Sequence, residues 1–144
     1  MMRHTFHLQI AGVRRVYPVL RLSPIVHSAT VSHVASSGGA WGGREAVPGR
    51  AGVEGVDVLL PLDAYPELLA WWEEIRCAGA AAAKAVSIQV CPQGGSPPFC
   101  VHFEEVLLGR LALDLFSDGT GLATVQCTLV PARMTLERSD HAQL

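Results

Sequence analysis

The sequence predicts a mainly β protein, a β-barrel of about eight strands with one packed α-helix. Three observations carry this. Short runs rich in Val, Ile, Thr and aromatic residues recur along the chain, broken by Gly, Pro and Ser clusters. Only the segment 65–75 places apolar residues at helical spacing. At 144 residues the chain is long enough to bury an ordinary core as a single domain without staples. That domain is assigned to residues 1–136, and the polar stretch 137–144 to a C-terminal tail.

The elements follow in order. Phe6, Leu8 and Ile10 alternate with Thr5, His7 and Gln9, the pattern of a half-buried strand. Ala11 and Gly12 make a turn. The run 13–22 resumes as strand, with Pro18 pointing to an edge or a bend. After Ser23-Pro24 the run 25–34 is again strand-like. Residues 35–52 are a different material, dominated by small residues around Trp41, and read as a long loop. The run 53–60 is a strand. Asp63 then caps a helix with Pro66 in its first turn. Tyr65, Leu68, Leu69, Trp72 and Ile75 share one helix face, and Trp71 lies off that stripe, free to meet a neighbour. Ala78-Gly79 ends the helix. Val86, Ile88 and Val90 line one face of the next strand, and 92–98 is a turn. A long strand covers 99–108, Gly109-Arg110 reads as a two-residue hairpin link, and 111–116 returns. Residues 122–134 form the last strand.

Composition excludes several functions. Charged residues are only 17% and apolar residues 49% of the chain, against the ~25% charge of soluble domains. A surface so poor in charge favours burial in an oligomer. Net charge is −2 with no Lys/Arg block, so nucleic acid has no electrostatic footprint to meet. No signal peptide opens the chain, and no run approaches the ~20 apolar residues of a membrane span. A cytoplasmic protein with no membrane insertion is expected. The four cysteines, Cys77, Cys91, Cys100 and Cys127, match no zinc or redox spacing and read as free thiols.

Catalytic and metal chemistry finds little support. His4 and His7 fall on opposite faces of a strand and cannot easily share an ion. His102 and Glu104 share a face and could do acid-base work, but a solvated strand face or subunit contact explains them better. The glycines at 38–39 and 42–43 are not followed by the Lys-Ser or Lys-Thr of a phosphate loop, and no nucleophile elbow is present. No catalytic residue, cofactor or metal ligand is assigned. The candidate functional residues are those of a subunit or ring interface: Ser36, Ser37, Gly38, Gly39, Trp41, Gly42, Gly43 and Trp71.

The layout resembles the tail-tube family of type VI secretion systems, the Hcp or TssD proteins, and is most similar to the branch found in Bacteroidetes. The resemblance rests on the opening strand and turn from Phe6 to Gly12, and on the strand from Ala29 to Val34 leading into Gly38-Gly39 and Gly42-Gly43. It continues in the aromatic helix with Leu68-Leu69-Ala70-Trp71-Trp72, the strand with Phe103-Glu104-Glu105-Val106, and the closing segment from Val130 to Leu136. The loop lacks the Gly-Arg-Pro of that branch. Tube proteins of phage tails and extracellular injection systems would look much the same. The resemblance implies a barrel that closes into six-membered rings, stacked into a tube, with sheath, spike and effector proteins as partners. It also implies export through the apparatus. The rival readings from the residues are a stand-alone β-barrel that binds a ligand or glycan through Trp41, and a small enzyme built on His102 and Glu104.

Overall fold

The computed structural model describes residues 4–35, 44–115 and 123–138. Among them are ten strands and a single α-helix. The strands are β1 (Thr5–Ile10), β2 (Val16–Pro18), β3 (Arg21–Leu22), β4 (His27–Ala35), β5 (Arg44–Val53), β6 (Val56–Pro61), β7 (Lys84–Cys91), β8 (Phe99–Asp114), β9 (Thr124–Val130) and β10 (Arg133–Arg138). The helix α1 is Tyr65–Ala78, entered through a 3-10 turn at Leu62–Ala64.

Eight strands form one antiparallel sheet in the order β2-β1-β7-β8-β9-β6-β3, with β10 also paired to β8. The two ends of this path are neighbours in the chain. Val19 N–H bonds the Phe6 carbonyl at 2.9 Å, and the next residue, Leu20, bonds the Leu59 carbonyl at 2.8 Å. One bent segment therefore pairs with β1 on one side and β6 on the other, which closes the barrel. Pro18 sits at that bend, as the sequence suggests, where its missing N–H costs no interior ladder bond.

Four expectations need correction. First, most of 35–52 is not a loop. Residues 44–53 are β5, paired with β4 from His27↔Val53 to Ala35↔Arg44 as a long hairpin outside the barrel sheet. Gly and Ala carry no side-chain pattern by which a strand can be recognised, so the sequence here reads as loop. Second, Gly109-Arg110 is not a hairpin link. β8 runs through it for 16 residues, with a bulge between Leu108 and Arg110. A side chain at 109 would come within 2.9 Å of Val130 Cγ2, so this glycine is there to let β9 approach. Third, the last strand is two. Pro131 interrupts it, β9 pairs the distal half of β8, and β10 pairs the proximal half. β10 also carries the ladder to Glu137 and Arg138, so the folded unit extends past residue 136. Fourth, Asp63 does not cap the helix. The N-cap is Ala64 with no side-chain bond, and Asp63 instead pairs with Arg15.

The barrel is filled by the inward residues of each strand. One row crosses five strands: Tyr17, Leu8, Ile88, Val101 and Leu136. A parallel row runs Ile10, Val86, Phe103, Met134. The helix seats Leu68 and Trp71 into the core beside Ala64, and flanks them with Tyr65, Trp72 and Ile75. Leu69, which shares that apolar helix face in the sequence, is exposed. No described helix is long and apolar enough to cross a membrane.

Candidate functional site

Of the residues picked out as an interface, Ser36, Ser37, Gly38, Gly39, Trp41, Gly42 and Gly43 lie outside the described residues. In the chain they lie between β4 and β5. The hairpin is a separate two-stranded sheet. Its base is tied by the Glu54 N–H to the Val26 carbonyl at 3.0 Å.

Trp71 is a correction. It is 2% exposed, and its indole N–H donates to the buried Ala82 carbonyl at 2.8 Å. A side chain so enclosed is not on the surface of the subunit. The helix stripe is rotated by one position from the sequence reading. Ala64, Leu68 and Trp71 face the core, and Trp72 sits at the margin. The deciding contact is Ala82, in the turn beyond the helix, which no periodicity could reveal.

The outward face of β1, β7, β8 and β10 is polar. One cross-strand row reads Gln9, Ser87, His102, Thr135, and the next reads His7, Gln89, Cys100, Glu137. His102 does not meet Glu104. Its Nδ1 lies 2.9 Å from the Ser87 hydroxyl, and its Nε2 lies 2.7 Å from the Glu137 carboxylate. Glu104 is taken by Arg133 at 2.7 Å, and Arg133 also faces Glu105 at 3.8 Å. Ser87 and Glu137 were invisible as partners in the sequence, because they come from strands 15 residues before and 35 residues after the histidine.

This hydroxyl–imidazole–carboxylate chain has the contacts of a nucleophile and its base. It lacks the setting. Strand N–H groups lie in the plane of the sheet and are committed to the ladders, so those around Ser87 and His102 do not point out from the face to hold an oxyanion. Beside them the Cys100 thiol is pushed up by burial and by the Glu137 charge, away from the reactive thiolate. Cys127, in the core, is pushed up to about 12 by burial. No group of three or more His, Cys, Asp or Glu among the described residues could hold a metal ion. The His102–Glu137 contact and the pairs of Arg133 with Glu104 and Glu105 link β10 to β8.

No family model matches this chain, and no curated protein matches it. Solved structures do. A chain of the PVC sheath/tube terminator in its extended state, from an extracellular contractile injection system, is 15% identical, with 92% of this chain and 92% of that chain covered at a TM-score of 0.71. A chain of the sheath–tube complex of the same system is also 15% identical, covering 92% and 88%, at a TM-score of 0.65. Hcp1 from Flavobacterium johnsoniae is 14% identical, covering 92% and 94%, at a TM-score of 0.57. The chain shares the fold of these proteins over 92% of its length.

Proposed function

We propose that this chain is a structural tube subunit of a contractile secretion or injection apparatus of the type VI kind. It assembles as hexameric rings that stack into a tube for effector delivery. The observation that carries this reading is the two-sided coverage. The alignment takes in over nine tenths of this chain and of Hcp1 alike, so the barrel, the hairpin and the helix are matched together. Three features of the molecule support it. The described residues hold no catalytic setting around the Ser87–His102–Glu137 chain, which suits a non-enzyme. The surface is poor in charge, at 17% of the whole sequence, which suits burial between copies. A two-stranded hairpin stands apart from the barrel sheet, which suits a contact arm.

Partners under this reading are other copies of the chain, a sheath, a spike and effectors carried in the lumen. The protein is made in the cytoplasm and leaves through the apparatus. The stretch between β4 and β5 in the sequence, with Trp41 between Gly38-Gly39 and Gly42-Gly43, is its anchor at a subunit or ring contact. The test is negative-stain microscopy of the purified protein, with sedimentation beside it. Six-membered rings with an open centre are expected. A monomer at every concentration tried would overturn the reading and favour a stand-alone binding barrel.

A further inference from the structure

One strand of the large sheet is not needed to close the barrel. The path β2-β1-β7-β8-β9-β6-β3 is complete without β10, which is attached to it through β8. Five of the six residues of β10 are exposed and none is buried, whereas β9, just before it in the chain, buries every second residue. Met134 is the residue of β10 that packs against the core, and it does so only in part. Few buried apolar contacts and a solvent-exposed ladder are the marks of a segment that opens by itself.

The joint between the two strands is well defined. Pro131 and Ala132 separate the pair Val130↔Leu107 from the pair Arg133↔Glu104. Pro131 is buried, which fixes the near end of β10 to the barrel. Beyond that joint two polar clamps hold β10 from the outward face. At its start Arg133 Nε lies 2.7 Å from Glu104 and its Nη1 lies 3.8 Å from Glu105. At its end Glu137 meets His102 Nε2 at 2.7 Å, with Ser87 behind the ring.

The first clamp explains an oddity of β8. Between the pairs Lys84↔Val106 and Val86↔Phe103, β7 supplies only Ala85 while β8 supplies both Glu104 and Glu105. The extra residue makes a bulge, and Glu105 stands in it at φ +52, the left-handed conformation in which such bulges favour glycine. A glycine there would relax the backbone but would leave Arg133 with one carboxylate in place of two.

We infer that β10 is a strap: residues 133–138 open as one unit about Pro131–Ala132 while the barrel stays closed, and the Arg133 and Glu137 clamps set how often they do. Opening uncovers the flank of Val101 and Phe103, which face Leu136 and Met134 across the ladder and are 4% and 0% exposed when the strap is shut. The inference concerns the single subunit and stands apart from the tube-subunit reading.

The test is native-state amide hydrogen exchange of the full chain, labelled with ¹⁵N and followed by NMR. The protected amides of β10 are expected to share one opening and to exchange about tenfold or more faster than those of β9. Arg133→Met is expected to speed all of them about three- to fivefold, the worth of a well-formed exposed ion pair, and to leave β9 and β6 unchanged. Glu105→Gly is expected to speed β10 as well, although it relaxes the backbone, and to leave β9 unchanged or slower. Exchange of β10 at the rate of β9 would overturn the strap. So would rates that climb residue by residue towards 138 and ignore Arg133→Met, which is the pattern of a fraying end. Variants that speed β9 and β10 alike, or neither, would overturn the role of the clamps.

Discussion

At the scale of single residues, burial without partners makes the sharpest demands. The Tyr17 hydroxyl is buried and has no hydrogen-bond partner among the described residues, while Arg15 lies over the ring at 5.6 Å. An unpaired buried hydroxyl costs about 1–3 kcal/mol. Tyr17→Phe is therefore expected to hold or raise the melting temperature, and a clear fall would show that the hydroxyl has a partner in solution. Cys127 gives a pH dependence. Its folded-state value is raised from 9.0 to about 12 by burial, so the folded protein keeps a proton that the unfolded chain gives up. Stability from this group is full below pH 9 and is lost as pH rises towards 12, at up to ~1.4 kcal/mol per pH unit. Denaturant unfolding between pH 8 and 11 should show that loss in the parent and a flatter profile in Cys127→Ala. Equal slopes would mean that other groups carry the alkaline transition. His102 teaches a different lesson. The residue was visible as a candidate, yet its contacts are set by cross-strand register, and register put Arg133 rather than His102 against Glu104.

At the scale of elements, the helix and the β8 bulge each yield a prediction. Trp71→Ala should cost about 3–5 kcal/mol through the cavity it leaves, because the ring is fully enclosed and its N–H is satisfied by Ala82. Trp72→Ala should cost less, since Trp72 is only partly buried at the margin of the core. The sequence alone predicts the opposite order, and urea unfolding of the two variants decides between them. At the bulge, Gly109→Ala would press a methyl against Val130 Cγ2 at 2.9 Å. Overpacking of this kind costs roughly 1–3 kcal/mol. Val130→Ala in the same chain should recover most of that loss, as coupled neighbours do, and additive costs would show that the glycine is needed for some other reason. Four residues before this bulge Glu105 adopts φ +52, a conformation disfavoured for a residue with a side chain. β8 thus changes course where it passes from β7 and β10 to β9, and the two irregularities are how one strand serves both parts of the sheet.

At the scale of the whole molecule, closure and extension are the two facts that matter. The bend at 19–20 removes the edges of β2 and β3 by joining them to opposite ends of the sheet. Among the described residues β10 pairs only with β8, and β4 and β5 only with each other. Trp41→Ala, or deletion of residues 38–43, should then impair assembly while leaving subunit melting close to the parent's, as an aromatic anchor at an interface contributes ~2 kcal/mol or more. Sedimentation beside thermal melting checks this, and rings that form as the parent's do would remove Trp41 and its glycines from the assembly contacts.

The sequence by itself determined the class of fold and most of its pieces. Alternating runs such as Phe6, Leu8, Ile10 and Val86, Ile88, Val90 are readable because the two faces of a half-buried strand meet different solvents. The single helix was readable because aromatic residues at helical spacing have no other economical use. The order of these pieces was enough to suggest the tube family, whose fold the structure shares. What was not legible depends on contacts between distant parts. The small residues of β5 carry no pattern, so only pairing with β4 makes them a strand. Trp71 is core because a turn eleven residues on comes back to meet it. The polar contacts among Ser87, His102 and Glu137, and the exposure of Leu136 at the end of an apolar row, are properties of register across several strands. Periodicity reports which face of an element is apolar, and only the tertiary structure decides what that face meets and where it runs out of neighbours.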